Sequence, residues 1–346
     1  MQSKYLGAAL AATLLASHPS FASAQTAVTI YGVLDAAISS RDTGGPEGRQ
    51  TALNSGEQTA SRFGLRGTED LGNGLKVIFN LEGNMGIDTG TTDSALFSRR
   101  SVVGLEGDFG SLTLGRDYSP IGIVSLASDV SGQGFYGTNL TAFSANRLTR
   151  RLANSVNYKS ASWHGLNLLL AYGAGEGVTP ATPNAPSGDT RAAGLEFRHD
   201  NLYLGAAFHA IRRVAADDDK ESAAGAGYTF DSLHKLELKG SWMQTDRVGF
   251  DKFRQLSLGG AMPFGPHKVY VNLQRFEQGD AAGNAWGLAY TYTMSKRTNL
   301  YATYGGVDNN RLGVFGIASS SNTVAPAATN RGADVSVVSL GMRHMF

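Results

Sequence analysis

The side chains in this sequence best suited to a chemical role are guanidiniums. Arg62, Arg66, Arg99, Arg100 and Arg116 lie in one stretch, and Arg147, Arg150 and Arg151 follow after a gap. A guanidinium is planar, permanently charged and a donor only. It can hold or steer an anion, but it cannot shuttle protons. Two-residue alternation sorts these arginines by face. In SRFGLRG, Phe63 and Leu65 take the apolar face, which puts Arg62 and Arg66 on the other. In RRSVVGLEG, Val103 and Leu105 fix the apolar phase. Arg100 then falls opposite, and Arg99 falls on the apolar step unless the strand end bends. Lys76 joins the polar face of GLKVIFNLEG. Asp35 is on the polar phase of its own strand and counts against a positive interior. Pairing of the arginines with Glu69, Asp70, Glu82 or Glu106 would leave that interior nearly neutral.

Other chemistries find little support. There is no cysteine, which excludes thiolate metal sites, disulfides and cysteine nucleophiles. No GxSxG, HExxH or P-loop pattern occurs. His164 and His199 fall at expected turns, His209 has no obvious serine partner, and His344 reads as an interfacial residue. Neither catalysis nor a cofactor or resident metal is expected. The run Asp217-Asp218-Asp219-Lys220-Glu221 offers oxygen ligands to a divalent cation, but reads better as a solvated loop tip. A net charge of +1 argues against a nucleic-acid partner.

The elements that carry these residues are strands. Residues 1–24 read as a secretory signal, with Lys4, an apolar run Leu6–Ala16 and a small-x-small site before Gln25. Beyond them no apolar run is long enough for a membrane-spanning helix. Alternation recurs instead over 27–40, 59–69, 74–85, 97–107, 110–117, 152–161, 165–174, 190–199, 201–212, 220–230, 234–246, 252–262, 267–277, 283–294, 298–307 and 333–346. Short turns alternate with long polar connectors at 41–58, 86–96, 118–150, 175–190, 213–219, 247–251, 278–282 and 308–331. That rhythm, with strands near the ~9–11 residues that cross a bilayer when tilted, predicts an all-β fold. The expected form is a 16-stranded antiparallel transmembrane β-barrel over residues 25–346. A soluble sandwich would have shorter strands and no such loop rhythm. Residues 118–151 form the longest unpatterned stretch, and its apolar first half (Ile121, Ile123, Val124, Leu126) predicts that it folds inward and narrows the barrel. In the last strand Val338, Leu340, Met342, His344 and Phe346 share the lipid phase, and Ser339, Gly341 and Arg343 the interior phase. Phe346 then belongs to an interfacial aromatic girdle, and this strand closes the barrel against the one near Val28.

The stretches Ser61–Glu82, Phe97–Pro120 and Asn154–Ser160, in this order, resemble the general diffusion porins of Gram-negative outer membranes. The VTIYGVLDA start and the GMRHMF end are most similar to the β-proteobacterial branch. The resemblance covers nearly all of residues 25–346. It implies a homotrimer in outer-membrane lipid, a third loop folded into the pore, and passive passage of small hydrophilic solutes. It also implies a basic wall. Arg99 matches the family position more closely, whereas phase favours Arg100, and Arg151 aligns with the last wall arginine. Opposite the wall, the family sets carboxylates on the third loop. Here that loop holds only Asp129, with Gln133 where relatives often have Glu, and Asp117 stands just before it. A net positive constriction favours anions. Phe346 resembles the terminal aromatic read by the outer-membrane assembly machinery. A substrate-specific channel is the nearest rival, since Tyr118, Phe135, Tyr136 and Phe143 lie in or beside the loop, but without the spacing of a sugar track. A barrel enzyme is a more distant one.

Overall fold

The computed structural model describes residues 27–175, 186–213 and 216–346. The secretory-signal segment 1–24 and most of the connector 175–190 lie outside the described residues. Sixteen long strands carry the architecture. They are β1 (Ala27–Asp42), β2 (Arg62–Gly72), β3 (Leu75–Gly86), β4 (Arg100–Gly107), β5 (Gly110–Tyr118), β6 (Arg151–Ser160), β7 (Leu166–Gly173), β8 (Pro186–His199), β9 (Leu202–Arg213), β10 (Asp219–Phe230), β11 (Leu236–Asp246), β12 (Phe253–Phe264), β13 (His267–Gln278), β14 (Ala281–Thr293), β15 (Thr298–Asn309) and β16 (Val335–Met345). Each pairs antiparallel with its sequence neighbours. The sheet closes where β1 meets β16, with Val33 opposite Met345 and Asp42 opposite Ser336. Closure leaves no unpaired edge, which a bilayer would not tolerate.

The two faces of each strand meet different solvents. Ile30, Leu204, Leu258 and Leu340 stand well exposed on the outside, with Ile30 at 70% and Leu340 at 67%. Asp35, His209, Gln255 and Ser339, on the opposite phase of the same strands, are almost wholly buried on the inside. This inverts a soluble protein and matches a wall with lipid outside and polar groups within. Exposed aromatics gather toward the short-turn rim, among them Phe109, Trp163, Tyr228, Phe264, Tyr292 and Phe346. The ladder between β1 and β16 extends through Phe346, whose N–H donates to Gly32 O at 3.1 Å while Gly32 N–H donates to Phe346 O at 3.1 Å. A Cβ on Gly32 would collide with the Phe346 ring, so only glycine lets the aromatic lie flat there.

Two expectations need correcting. The connector 41–58 is not all loop, because Gln50–Ser55 returns as a short strand along β1. The unpatterned stretch after β5 holds a regular helix, α1 (Pro120–Ala127), with Ser119 as N-cap accepting from Gly122 N–H and proline opening the first turn. It was illegible as a helix because its less buried positions, Ile123, Leu126 and Ala127, are as apolar as its buried ones, so no polar face marks its period.

Candidate functional site: an arginine wall and the loop that faces it

The long loop between β5 and β6 lies along the inner face of the barrel. Its helix starts under β9, where Ile121 N–H donates to His209 Nε2 at 3.2 Å. His209 is fully buried and its Nδ1 lies 3.1 Å from Glu221 Oε2 on β10. Glu221 also accepts from the N–H and hydroxyl of Thr149, at the other end of the loop. One His–Glu pair therefore fixes both ends. Between them Asn139 meets Ser241 and Gln255, and Gln274 donates to Gly137 O at 2.7 Å. Tyr136 O rests where a Cβ on Gly287 would stand, an approach that only glycine permits. The last long loop closes over this one, with Gly137 N–H donating to Ala318 O and Ala318 N–H to Thr141 Oγ1.

The opposite wall, β2 to β6, carries the cations. Glu82 on β3 is nearly buried and is their first counterion. It lies 2.6 Å from Arg99 Nε and 3.3 Å from Arg62 Nε, and it accepts from Tyr31 OH at 3.0 Å. Arg99 reaches on to Asn84 and to Tyr118 OH. Tyr118 is the hub of the wall. Its hydroxyl accepts from Arg151 Nη2 at 2.8 Å and from Arg99 Nη2 at 3.2 Å, and its ring lies under the guanidiniums of Arg151 (4.4 Å) and Arg150 (5.6 Å). Arg150 Nη2 donates to Gln133 Oε1 at 2.6 Å. Burial pushes the Arg150 guanidinium down to about 9, which leaves it protonated at neutral pH. Arg100 pairs with Asp117 at 2.7 Å, and Arg116 Nε donates to Ser98 O. Arg66 stands apart, exposed and 5.1 Å over the Tyr31 ring.

The structure thus brings together Arg62, Arg99, Arg100, Arg116 and Arg151, and adds Arg150. Six guanidiniums meet two carboxylates in direct contact, Glu82 and Asp117. Asp88 and Asp93 line the far side of a cleft of about 380 Å³ that also takes in Arg99, Arg150 and Arg151. The balance stays positive even with all four carboxylates counted. The open choice between Arg99 and Arg100 resolves as both. Arg99 precedes β4, which starts at Arg100, so the bend at the strand end turns both side chains inward.

Four expectations are corrected here. Asp129 does not face the arginines. Its carboxylate turns into its own loop and accepts from the N–H groups of Ser131, Gln133 and Asn139 and from the hydroxyls of Ser131 and Thr138. Gln133 does reach the wall, but from a fully buried position as a strut for Arg150. Asp35 is no free interior charge. It accepts from Tyr301 OH at 2.5 Å and from the N–H groups of Glu57 and Thr59. The acidic run is not all solvated tip, because Asp219 pairs with Arg213 at 2.6 Å and Glu221 is buried beside His209. Tyr118 was weighed only as part of an aromatic track and the His209–Glu221 pair was not foreseen, since no local pattern announces a hub whose partners come from other strands.

Comparison with known proteins gives this geometry a family. The model of the Gram-negative porin family matches residues 8–312. Outer membrane porin protein 32 of Delftia acidovorans is 30% identical over 348 residues, covering 94% of this chain and 95% of that one. An outer membrane porin protein of Bordetella pertussis is 28% identical, covering 97% of this chain and 99% of that one. Among solved structures, the anion-selective porin from Comamonas acidovorans superposes with a TM-score of 0.82 at 26% identity, covering 93% of this chain and all of that one. With a wall of fixed charge inside a closed barrel and relatives matched along nearly its whole length, the chain belongs to the Gram-negative porin family and is a channel of the outer membrane rather than an enzyme.

Proposed function

We propose that the channel passes small hydrophilic solutes by diffusion with a preference for anions, and that residues 119–150 set its narrowest point. The observation that carries this reading is the grouping of Arg99, Arg150 and Arg151 around Tyr118, with Arg62 and Arg100 alongside, against few touching carboxylates. Walls of low dielectric focus the field of such a cluster across the lumen. The anion selectivity of the Comamonas acidovorans porin supports the same sign. The long loops then belong to the outside of the cell and the short turns to the periplasm. A homotrimer is part of the proposal, supported by the family and by a distant barrel neighbour described as a trimer. So is a role for Phe346 in assembly.

Reversal potentials in a potassium chloride gradient test the sign. The wild type should be anion-selective, and Arg62→Ala with Arg151→Ala should reduce that selectivity. A cation-selective wild type would overturn the proposal. Conductance should fall in three equal steps for a trimer. Phe346→Ala should lower the yield of heat-modifiable folded barrel while leaving the conductance of assembled channels unchanged. Normal assembly of that variant would remove the role given to Phe346.

A further inference from the structure

The start of α1 is held by one protonation state of its partner on the wall. The first N–H groups of a helix have no acceptor within it. Pro120 brings no N–H, Gly122 N–H goes to Ser119 Oγ at 3.0 Å, and Ile123 N–H goes to Ser119 O at 2.9 Å. Ile121 N–H crosses to β9 and meets His209 Nε2 at 3.2 Å. A ring nitrogen that accepts carries no proton. His209 is therefore a neutral imidazole in this clasp, with its hydrogen on Nδ1 and directed at Glu221 Oε2, 3.1 Å away. The rest of the seat gives α1 little to grip. Gly194, Gly205 and Gly225 stand where a Cβ would press on Pro120, Val124 and Ser128. The directional bond to His209 thus fixes where the helix starts.

A second proton on this ring and the bond to Ile121 exclude each other. The proton would turn Nε2 into a donor aimed at an N–H, and it would set a cation at the positive end of the helix. Glu221, on the far side of the ring, stabilises that cation whether or not the helix stays. Few other charges face the ring among the described residues. The helix has none, and β8 brings Thr190, Ala192 and Gly194 beside it. Glu196, further along β8, is held by Lys159 and Arg198. Arg213 on β9 binds Asp219 on β10, and Arg247 after β11 lies 3.9 Å from Glu221 Oε1. At the loop exit Arg147 turns to Phe253 and Arg150 to Gln133. We infer that the clasp is a proton-operated release: His209 takes up a second proton as the start of α1 leaves the wall, so mild acid loosens the loop while the barrel stays closed. The release itself is independent of the proposed function, and only its effect on current rests on the loop setting the narrowest point.

The test is hydrogen–deuterium exchange of the intact barrel in detergent micelles, followed over Pro120–Ala127 and corrected for the intrinsic pH dependence of exchange. Between about pH 8 and about pH 5, where an imidazole changes charge, protection of this segment should fall by up to about tenfold per pH unit, the limit for one proton taken up on release. The single-channel current should grow noisier over the same range. His209→Gln keeps an acceptor for Ile121 and a donor for Glu221 but has no second proton to take, and its protection should fall much less. Glu221→Gln keeps an acceptor for Thr149 and removes the countercharge of the imidazolium, so its fall should begin at lower pH than in the wild type. Either variant decides alone if the other fails to fold. Wild-type protection that does not fall in acid would overturn the release, as would a fall of wild-type slope in folded His209→Gln or of wild-type midpoint in folded Glu221→Gln. A wild type whose protection falls while its current stays quiet would uphold the release and remove the narrowest point from residues 119–150.

Discussion

Two stretches of the same inner wall use polar residues in opposite ways. From β2 to β6 the inward side chains include cations that gather around Tyr118, two of them over its ring, and among the described residues touch only Glu82 and Asp117 as counterions. From β9 to β13 the lumen-facing side chains are His209, Glu221, Ser241, Gln255 and Gln274, and each is engaged by the loop that leans on it. Strand phase puts Arg62, Arg100 and the β9 to β13 residues inside, and the strand and loop ends add Arg99 and Arg150. What separates them is how far polar groups of the loop are delivered to them, since among these arginines the loop's Gln133 meets Arg150 alone. Where the loop supplies such groups, polar residues become struts. Where it does not, charge remains to act on solutes. The comparison predicts that substitutions on the strut side alter the loop's stability first, and that substitutions on the arginine side alter selectivity first.

The largest effect is expected at Asp129, although it lies on neither wall. Asp129→Ala removes one buried acceptor and orphans the N–H groups of Ser131, Gln133 and Asn139 together. Each buried donor left unmet costs about 1–3 kcal/mol. The loop should therefore open at a cost lowered by roughly 3 kcal/mol or more, visible as protease cleavage between Ala127 and Thr149 and as a noisier open channel. A variant as resistant and as quiet as the wild type would mean that the struts, not this staple, hold the loop.

Next in size is Arg150→Ala with Arg151→Ala. Each unit charge within about 4 Å of a passing ion in water is worth roughly 1 kcal/mol, or about fivefold in a permeability ratio. Together they should cut the anion-to-cation ratio by roughly 25-fold with the barrel intact. Retention of the wild-type ratio would transfer selectivity to Arg62 and Arg99. Tyr118→Phe is a finer probe. It keeps the ring under both guanidiniums and deletes the oxygen that orders Arg99 and Arg151. A fall of about twofold to fivefold in the same ratio, without loss of conductance, is expected for one hydrogen bond of about 1 kcal/mol. An unchanged ratio would show that stacking alone aligns the cluster.

The barrel was legible because lipid and lumen impose a strict two-residue code, and the sixteen expected segments coincide with the sixteen strands to within a few residues. Arg62 and Arg100 were legible for the same reason, whereas Arg99 and Arg151 came from family resemblance and Arg116 from its place where the chain enters the long loop. Arg150 was noticed at the loop exit but not weighed, since it lies just before β6 and has no strand phase. The loop's interior was not legible. Asp129 reads as a free carboxylate because its partners are backbone N–H groups that converge only after the turn forms, with Gln133 and Phe135 at positive φ. Glu221 reads as part of a solvated charge run because its partners, His209 and Thr149, come from β9 and from the loop's end. Alternation reports which face a residue takes. It carries no information on what a loop will later place against that face.

The smallest predicted effect concerns Glu57, a carboxyl of the first long loop whose state bears on the charge balance. It is fully buried where three long loops meet. Its Oε1 accepts from Asn54 Nδ2 at 2.9 Å and from Tyr136 OH at 3.1 Å, and its backbone O accepts from Phe135 N–H and Ser320 N–H. Burial raises its pKa above the ordinary carboxylate value, more than the hydrogen bonds from Asn54 and Tyr136 lower it. The native state therefore holds this proton more tightly than the unfolded chain does. The contribution to stability is complete below the ordinary carboxylate value of about 4.3 and is lost as pH rises through the raised native value. Glu57→Gln keeps an acceptor for Asn54 and Tyr136 and carries no charge at any pH. Urea unfolding in detergent micelles, repeated from acid to neutral pH, should show wild-type stability declining across that window more steeply than that of the variant. Parallel curves would mean that Glu57 is fully ionised in the barrel. It would then be a buried anion offsetting the arginine wall, and the division between struts and free charge would have to be redrawn at that residue.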